Sequence, residues 1–344
     1  MLRKQWESAI KGFNNYSCVP EEEWEQNTEA NMPRLHRSNS LWNLEGLFDP
    51  PKDKAVIVIG ASPILNRDVA KLKGLDREDF CIVCVNSALK LVMKAGVKPD
   101  FVICIDSDEE DIMQHLDVDS TGIQLITCNS ISPKVLDAWK GPVWFFPYLS
   151  VSVQLRKKLK NRLGWTIPTG GNALGTMIAI AVKVFHARII VLVASECCYT
   201  KDYYPSKNIP RNNKQPVEFY ETDINGCKRL TTQALHTYKI WIERLAIEVH
   251  PVVKVIDTSE GLMGKRDEKS YIYTYELSEI INKIKEASDK KRELINANPS
   301  LLNAPLYPPG HRWKMQRRNR RTDVRDSDTA CRTGGAGVSE MCAT

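Results

Sequence analysis

Asp106 and Asp108 stand two residues apart near the end of "KPDFVICIDSDEED" (Lys98–Asp111), where an apolar, β-branched run turns abruptly acidic. Carboxylates at that spacing can hold a hard divalent cation, which in turn neutralises phosphate oxygens. The competing reading is a solvated acidic loop that opens a helix, with Glu109, Glu110 and Asp111 favoured by the helix N-terminus. Asp106 ends the apolar run itself and is the first candidate; Asp108 is its co-ligand in the metal reading.

A second chemistry is written in "PTGGNALGTMIAIAVKVF" (Pro168–Phe185). Two glycines precede a long apolar helix, and the exposed N–H groups at such a start attract anions. Thr169, Gly170, Gly171 and Asn172 are the candidate phosphate-binding residues, against a plain glycine-rich turn capped by Thr169. A third signal is Glu196 in "VASECCYT" (Val193–Thr200), placed to ligate a metal, bind a hydroxyl or act as a base. "DTSEGLMG" (Asp257–Gly264) adds Asp257 and Glu260. Gly60 and Ser62 in "GASPIL" and Asn86 and Ser87 in "NSALK" follow two further apolar runs. Gly60 permits a tight turn, and Asn86 or Ser87 can cap a helix or hydrogen-bond a ligand. "GASPIL" is not a GxGxxG fingerprint and no GxxxxGK[ST] loop occurs, which weighs against NAD-type redox chemistry and the common ATPase loop.

These residues need a scaffold that brings them to one place. Short apolar runs recur at Ala55–Gly60, Cys81–Asn86, Phe101–Asp106, Ile123–Thr127, Val143–Phe146, Arg188–Ala194 and Val252–Asp257. Most lack polar alternation, the mark of strands buried on both faces of a parallel sheet. Helical stretches are predicted between them at about 64–74, 86–95, 132–139, 151–162, 172–186 and 231–248. The alternation predicts an α/β fold, a Rossmann-like doubly wound and largely parallel sheet, over 51–265. Ligands bind beyond the carboxyl ends of such strands, where Asp106, Glu196, Asp257 and Glu260 all fall. Residues 1–50 read as a helical leader that packs on this domain, 266–300 as a C-terminal helix with Leu277, Ile280, Ile281 and Ile284 on one face. The segment from 201 to Tyr220 is a candidate substrate loop.

Composition narrows the class. The chain has 344 residues, 42% hydrophobic and 26% charged, the composition of a globular protein. No apolar window is long enough to span a membrane, and "MLRKQWESAIKGF" lacks the apolar stretch of a signal peptide. Of ten cysteines, those in "CIVC" (Cys81–Cys84) have CxxC spacing, but no second pair follows them. They read as small hydrophobes in a reducing, cytoplasmic setting. The net charge of +6 is concentrated in "RWKMQRRNRR" (Arg312–Arg321). Residues 301–344 read as a disordered basic tail, touching nucleic acid only non-specifically. No oligomeric state follows from the sequence.

In order, "VIVIGASPIL", "KPDFVICID", "PTGGNALGTMIAIAV", "IIVLVASECCYT", "NGCKRLTTQALHTYKIWIE" and "IDTSEGLMG" resemble the 6-hydroxymethylpterin diphosphokinase MptE-like domain, shared with Maf-type flagellin glycosyltransferases. The family's first motif reads G-x-G-P-S-L; Gly60, Pro63 and Leu65 match it, while Ser62 and Ile64 depart. Asp106, Gly170, Gly171 and Asn172 match. Its G-Q-D-L-A-Y-T becomes "ASECCYT", keeping Tyr199 and Thr200 but putting Ala194 for Gly and Glu196 for Asp. Glu260 and Gly261 match the last E-G.

The resemblance implies a nucleotide-dependent transferase taking small-molecule donor and acceptor. One branch moves a pyrophosphoryl group from ATP with Mg²⁺ to a pterin alcohol; the alternative moves a nonulosonic, sialic-type sugar from a CMP donor. A third possibility is an inactive nucleotide-binding module. The implied roles are Asp106 and Glu196 in catalysis, Asp106 and Asp108 on the metal, and Tyr199, Thr200 and Glu260 on the substrate. Gly60, Ser62, Asn86, Ser87 and Thr169–Asn172 would take the nucleotide and its phosphates.

Overall fold

The computed structural model describes residues 21–49, 53–106, 113, 116–148, 152–199, 218–264 and 271–298. The leader before residue 21, the loop 201–217 and the tail after 298 therefore lie outside the described residues. By its contacts the chain divides into a unit Met1–Glu293 and a second, Leu294–Thr344; of the latter, only the end of one helix is described.

The first unit is an α/β fold. Helix α1 (Glu21–Asn31) leads to short 3₁₀ turns and then strand β1 (Ala55–Ile59), α2 (Leu65–Asp68), β2 (Phe80–Val85), α3 (Leu89–Lys94) and β3 (Phe101–Cys104). There follow β4 (Gln124–Cys128), α4 (Pro133–Ala138), β5 (Val143–Phe146), α5 (Val153–Leu163), α6 (Ala173–Lys183) and β6 (Ile189–Val193). The chain continues through β7 (Glu218–Thr222), β8 (Lys228–Thr232), α7 (Gln233–Val249), β9 (Lys254–Asp257), β10 (Ile272–Thr274) and α8 (Leu277–Ala297).

Eight strands form one sheet in the order β10-β9-β6-β1-β2-β3-β4-β5, and every pairing in it is parallel. All five residues of β1 and all six of β2 are buried, as unalternating Val, Ile and Cys require of central strands covered by helices on both faces. The seven predicted strands are present. Two elements were not anticipated: the edge strand β10, whose three residues carry too little pattern, and the antiparallel hairpin β7–β8. The hairpin takes Thr231 and Thr232 from the start of the expected helix, and Thr232 then caps α7 through its hydroxyl, 3.3 Å from Leu235 N.

Cys81 and Cys84 lie buried within β2, and burial pushes both thiols up, away from ionisation. The 21–49 segment docks on the sheet's helices and loops. Asn31 Nδ2 donates to Asn129 O at 3.0 Å and Ile131 O at 2.7 Å, and Ser40 Oγ to Leu163 O at 2.7 Å. Leu277, Ile280, Ile281 and Ile284 are buried along α8 as their spacing predicts.

Strand order grows outward from β1 to β5, then resumes at β6 on the other side of β1. The sheet therefore reverses between β1 and β6, the point at whose carboxyl edge the ligand crevice of such sheets is expected. The two turns beyond it touch. Gly60 N donates to Val193 O at 2.8 Å and Ser62 N to Ala194 O at 3.2 Å. A Cβ on Gly60 would stand 2.4 Å from Ala194 O, well inside contact distance. Gly60→Ala is expected to lower the stability of the ligand-free protein by about 1–3 kcal/mol, read as a fall in melting temperature. An unshifted melt would show that the two turns separate freely.

Candidate functional site

The turn after β6 is held in an unusual backbone. Ala194 (φ 52°) and Cys197 (φ 53°) both occupy the left-handed region, which costs an alanine or cysteine about 1–2 kcal/mol. Between them sits Glu196. Such strained, non-glycine residues gather where side-chain aim matters more than comfort. The turn is locked from the other side by Gly261: Leu262 N donates to Glu196 O at 2.8 Å, and a Cβ on Gly261 would fall 2.4 Å from Glu196 Cα.

Glu196 is 3% exposed, and its Oε2 has no hydrogen-bond partner among the described residues. Burial raises its pKa to about 7; the nearby charges of Arg229 and Arg67 pull it back, while those of Glu260 and Asp68 add to the rise. Asp257, fully buried at the end of β9, also rises to about 7 through burial, despite hydrogen bonds from Ser259 Oγ at 2.8 and 2.9 Å. The Glu196 charge adds to the Asp257 shift. Ser62 Oγ is a second buried atom with no partner. Ser62 follows β1 and Glu196 follows β6, strands whose ends pair at Ile59 and Val193. Buried polar groups are nearly always satisfied, so these two orphans make the turns after β1 and β6 a candidate ligand site.

Glu260 points outward, with 62% of its side chain exposed, and pairs with Arg67 Nη1 at 3.1 Å. Arg67 also holds buried Asp68 at 3.0 Å. Neither Arg67 nor Asp68 was singled out from the sequence, since "LNRD" carries no pattern beyond a helix start. The hairpin closes the other flank: Tyr199 N donates to Leu230 O at 2.7 Å, and Thr231 Oγ1 to Cys197 O at 2.9 Å. It is anchored in turn on α7, where Glu221 takes both Lys239 Nζ and His236 Nδ1.

The glycine turn lies at the same edge. Helix α6 packs on β1, β2 and β3 and ends just before β6, so its first residue is at the carboxyl side of the sheet. Gly170 (φ 61°) and Gly171 (φ 80°) are both left-handed. A Cβ on Gly170 would meet the Trp241 ring at 2.5 Å. The cap is Asn172, whose Oδ1 accepts from Gly175 N at 2.7 Å; Thr169 instead accepts from Gly171 N through its hydroxyl at 3.3 Å.

Other expected residues are less closely gathered. Asp106 is exposed past the end of β3. That strand is three positions from β6, a separation of about 14 Å at ~4.8 Å per strand. Asn86 and Ser87 form a 3₁₀ turn, and neither caps the helix after it. Asp108 and Thr200 lie outside the described residues. Among the described residues no three His, Cys, Asp or Glu side chains converge to hold a metal. A shallow groove of about 440 Å³, lined by Arg37, Trp42, Lys160 and Gly164, includes none of the strand-edge residues.

An eight-stranded parallel sheet with polar groups at the carboxyl edge of the reversal point defines a Rossmann-like α/β protein. The chain belongs to the 6-hydroxymethylpterin diphosphokinase MptE-like family, whose profile matches residues 26–202. Its fold is similar to that of a Maf glycosyltransferase from Magnetospirillum magneticum AMB-1, with a TM-score of 0.52 at 13% identity. The similarity covers 75% of this chain but only 38% of that one. No curated protein matches the sequence. No described helix is long and apolar enough to cross a membrane.

The two raised carboxyls set a pH signature. Each holds its proton more tightly folded than unfolded, so the contribution of these two groups to stability is greatest below the ordinary carboxylate range. It falls as pH rises towards about 7 and levels off above. Glu196→Gln removes one share of that fall, on the order of 3 kcal/mol for a shift from 4.5 to about 7. Thermal melts of wild type and variant are expected to coincide near about pH 4 and to diverge above about pH 7, the variant being the more stable. Parallel curves would show that Glu196 does not titrate in this window.

Proposed function

We propose that the β1/β6 crevice moves a group from a nucleotide donor to a hydroxyl acceptor, with Glu196 accepting the hydroxyl proton. The observation that carries this is the Glu196 carboxyl: buried, unpaired at Oε2 and poised near neutrality. A base with that pKa splits its population at working pH and is matched to the task. Ser62, Asn86, Ser87 and the Thr169–Asn172 turn would face the donor; Gly60 would let the backbone close behind it. Tyr199, Thr200 and Glu260 would lie on the acceptor side.

The family's description supports pyrophosphoryl transfer. The acceptor oxygen would bond to the β-phosphorus of ATP as AMP leaves and the hydroxyl proton passes to Glu196. Mg²⁺, where bound, supplies charge neutralisation at the phosphates. The exposed hard oxygens of Asp106, with Asp108 beside it in sequence, suit an ion that keeps waters and shares its coordination with phosphate. The base at Glu196 gives specific support to the second reading, sugar transfer from a CMP donor. There the acceptor oxygen would bond to the anomeric carbon, CMP would leave, and the same proton transfer would matter more. The Maf fold likeness agrees with it.

Thermal-shift titrations with ATP–Mg²⁺ and with CMP separate the two. Stabilisation by CMP without metal favours sugar transfer; stabilisation by ATP only with Mg²⁺ favours pyrophosphoryl transfer. Donor hydrolysis is expected to rise with pH through about 7. It should fall about 100-fold or more in Glu196→Gln while nucleotide affinity holds. In Asp106→Ala, the ATP–Mg²⁺ shift should shrink. If both variants match wild type in affinity and turnover, the transferase reading fails and a nucleotide-binding module remains.

A further inference from the structure

The hairpin brings to the crevice a group that the transfer chemistry above leaves without a task. Its loop, "DINGC", is organised by Asp223, whose Oδ1 accepts from Asn225 N and Cys227 N, each at 2.8 Å. The other oxygen of this buried carboxylate takes Arg229 Nε at 2.8 Å. That bond fixes the guanidinium through its inner nitrogen and leaves both terminal amino groups without a partner among the described residues.

Alternation along β8 puts Arg229 and Thr231 on one face. Thr231 donates to Cys197 O, so this face lies against the turn that carries Glu196. The Arg229 charge accordingly acts on both Glu196 and Cys198. Yet Arg229 and Glu196 make no hydrogen bond to each other, and Glu196 Oε2 stays unpaired. An ion pair would satisfy both; its absence leaves both for a third group. Arg229 also lies beyond residues 26–202, the segment the family profile matches.

We propose that Arg229 binds an oxyanion of the substrate, a phosphate or a carboxylate, through its two terminal amino groups. This rests on the Glu196 crevice being the transfer site, and it states what one of the substrates there must carry. The planar fork suits bidentate pairing with either group. An arginine already held at Nε loses little freedom on binding.

The test is calorimetric titration of the full chain as wild type, Arg229→Lys and Arg229→Gln. The probes are inorganic pyrophosphate for the phosphate source, N-acetylneuraminate for the carboxylate source, and ATP–Mg²⁺ and CMP. Arg229→Gln should weaken one of the two anions by about 10-fold to 100-fold, the value of charge-assisted hydrogen bonds. The anion affected identifies the source. Arg229→Lys keeps the charge beside Asp223 and hence the hairpin, but it loses the fork; it should weaken the same anion at least several-fold with an unchanged melting temperature. If the wild type binds either anion and both variants bind it equally well, Arg229 has no such role, while the transfer site stands or falls separately on ATP–Mg²⁺ or CMP binding. Wild type that binds a nucleotide but neither anion also overturns the inference alone. Wild type that binds none of the four probes overturns both readings.

Discussion

The rest of the site depends on a backbone contact at the strand reversal. The residues after β6 are clasped between two glycines from neighbouring strands: Gly60 lies against Ala194 O, and Gly261 against the Glu196 backbone. A side chain at either glycine would push the turn away. With the turn held, Ala194 and Cys197 keep their left-handed conformations and Glu196 stays aimed into the protein. The family pattern has glycine where this chain has Ala194, the residue type that φ of 52° favours. The chain keeps the conformation without the glycine, so the surrounding contacts impose it.

That contact gives physical content to the glycines. In the sequence, Gly60 suggests a phosphate cradle, as glycine after a first strand often does. In the structure it is a packing residue, small because another turn crosses it. Gly170 is likewise small because Trp241 covers it. Of the glycine turn, only Gly171 is exposed, and the cap that orders the helix start is Asn172. What the crevice offers a ligand is therefore not mainly glycine backbone but two buried side-chain oxygens, Ser62 Oγ and Glu196 Oε2.

The strands were legible because full burial writes itself as unbroken runs of Val, Ile and Cys, and the carboxyl-edge rule then pointed to Glu196, Asp257 and Glu260. The hairpin was also written, in "EFYETDINGCKRLTT". Its alternating flanks around Asn-Gly are a strong hairpin signal. The helical pattern of 233–249 reaches back through Thr231 and masks it. Losing the hairpin lost Arg229. Arg67 was hidden for a different reason: its partner Glu260 is 193 residues away, and no local pattern encodes such a pairing. Asp106 stands apart from Glu196 for a third reason: sequence shows that a residue ends a strand, not which strands are neighbours.

Strand order then constrains what a ligand could be. Glu196, Asp257, Glu260 and Arg67 belong to β6, β9 and the segment after β1, all adjoining the reversal. Asp106 belongs to β3, two strands beyond β1 on the other side. At ~4.8 Å per strand, no single ion can touch both Asp106 and Glu196. A ligand that reached both would be extended, lying across the carboxyl ends of β6, β1, β2 and β3. Helix α6 packs on those last three strands and begins at their carboxyl side, so such a ligand would run along the edge that carries the Gly171–Asn172 turn. A small acceptor alone lacks that length; a nucleotide with its phosphates, set against an acceptor at Glu196, has it.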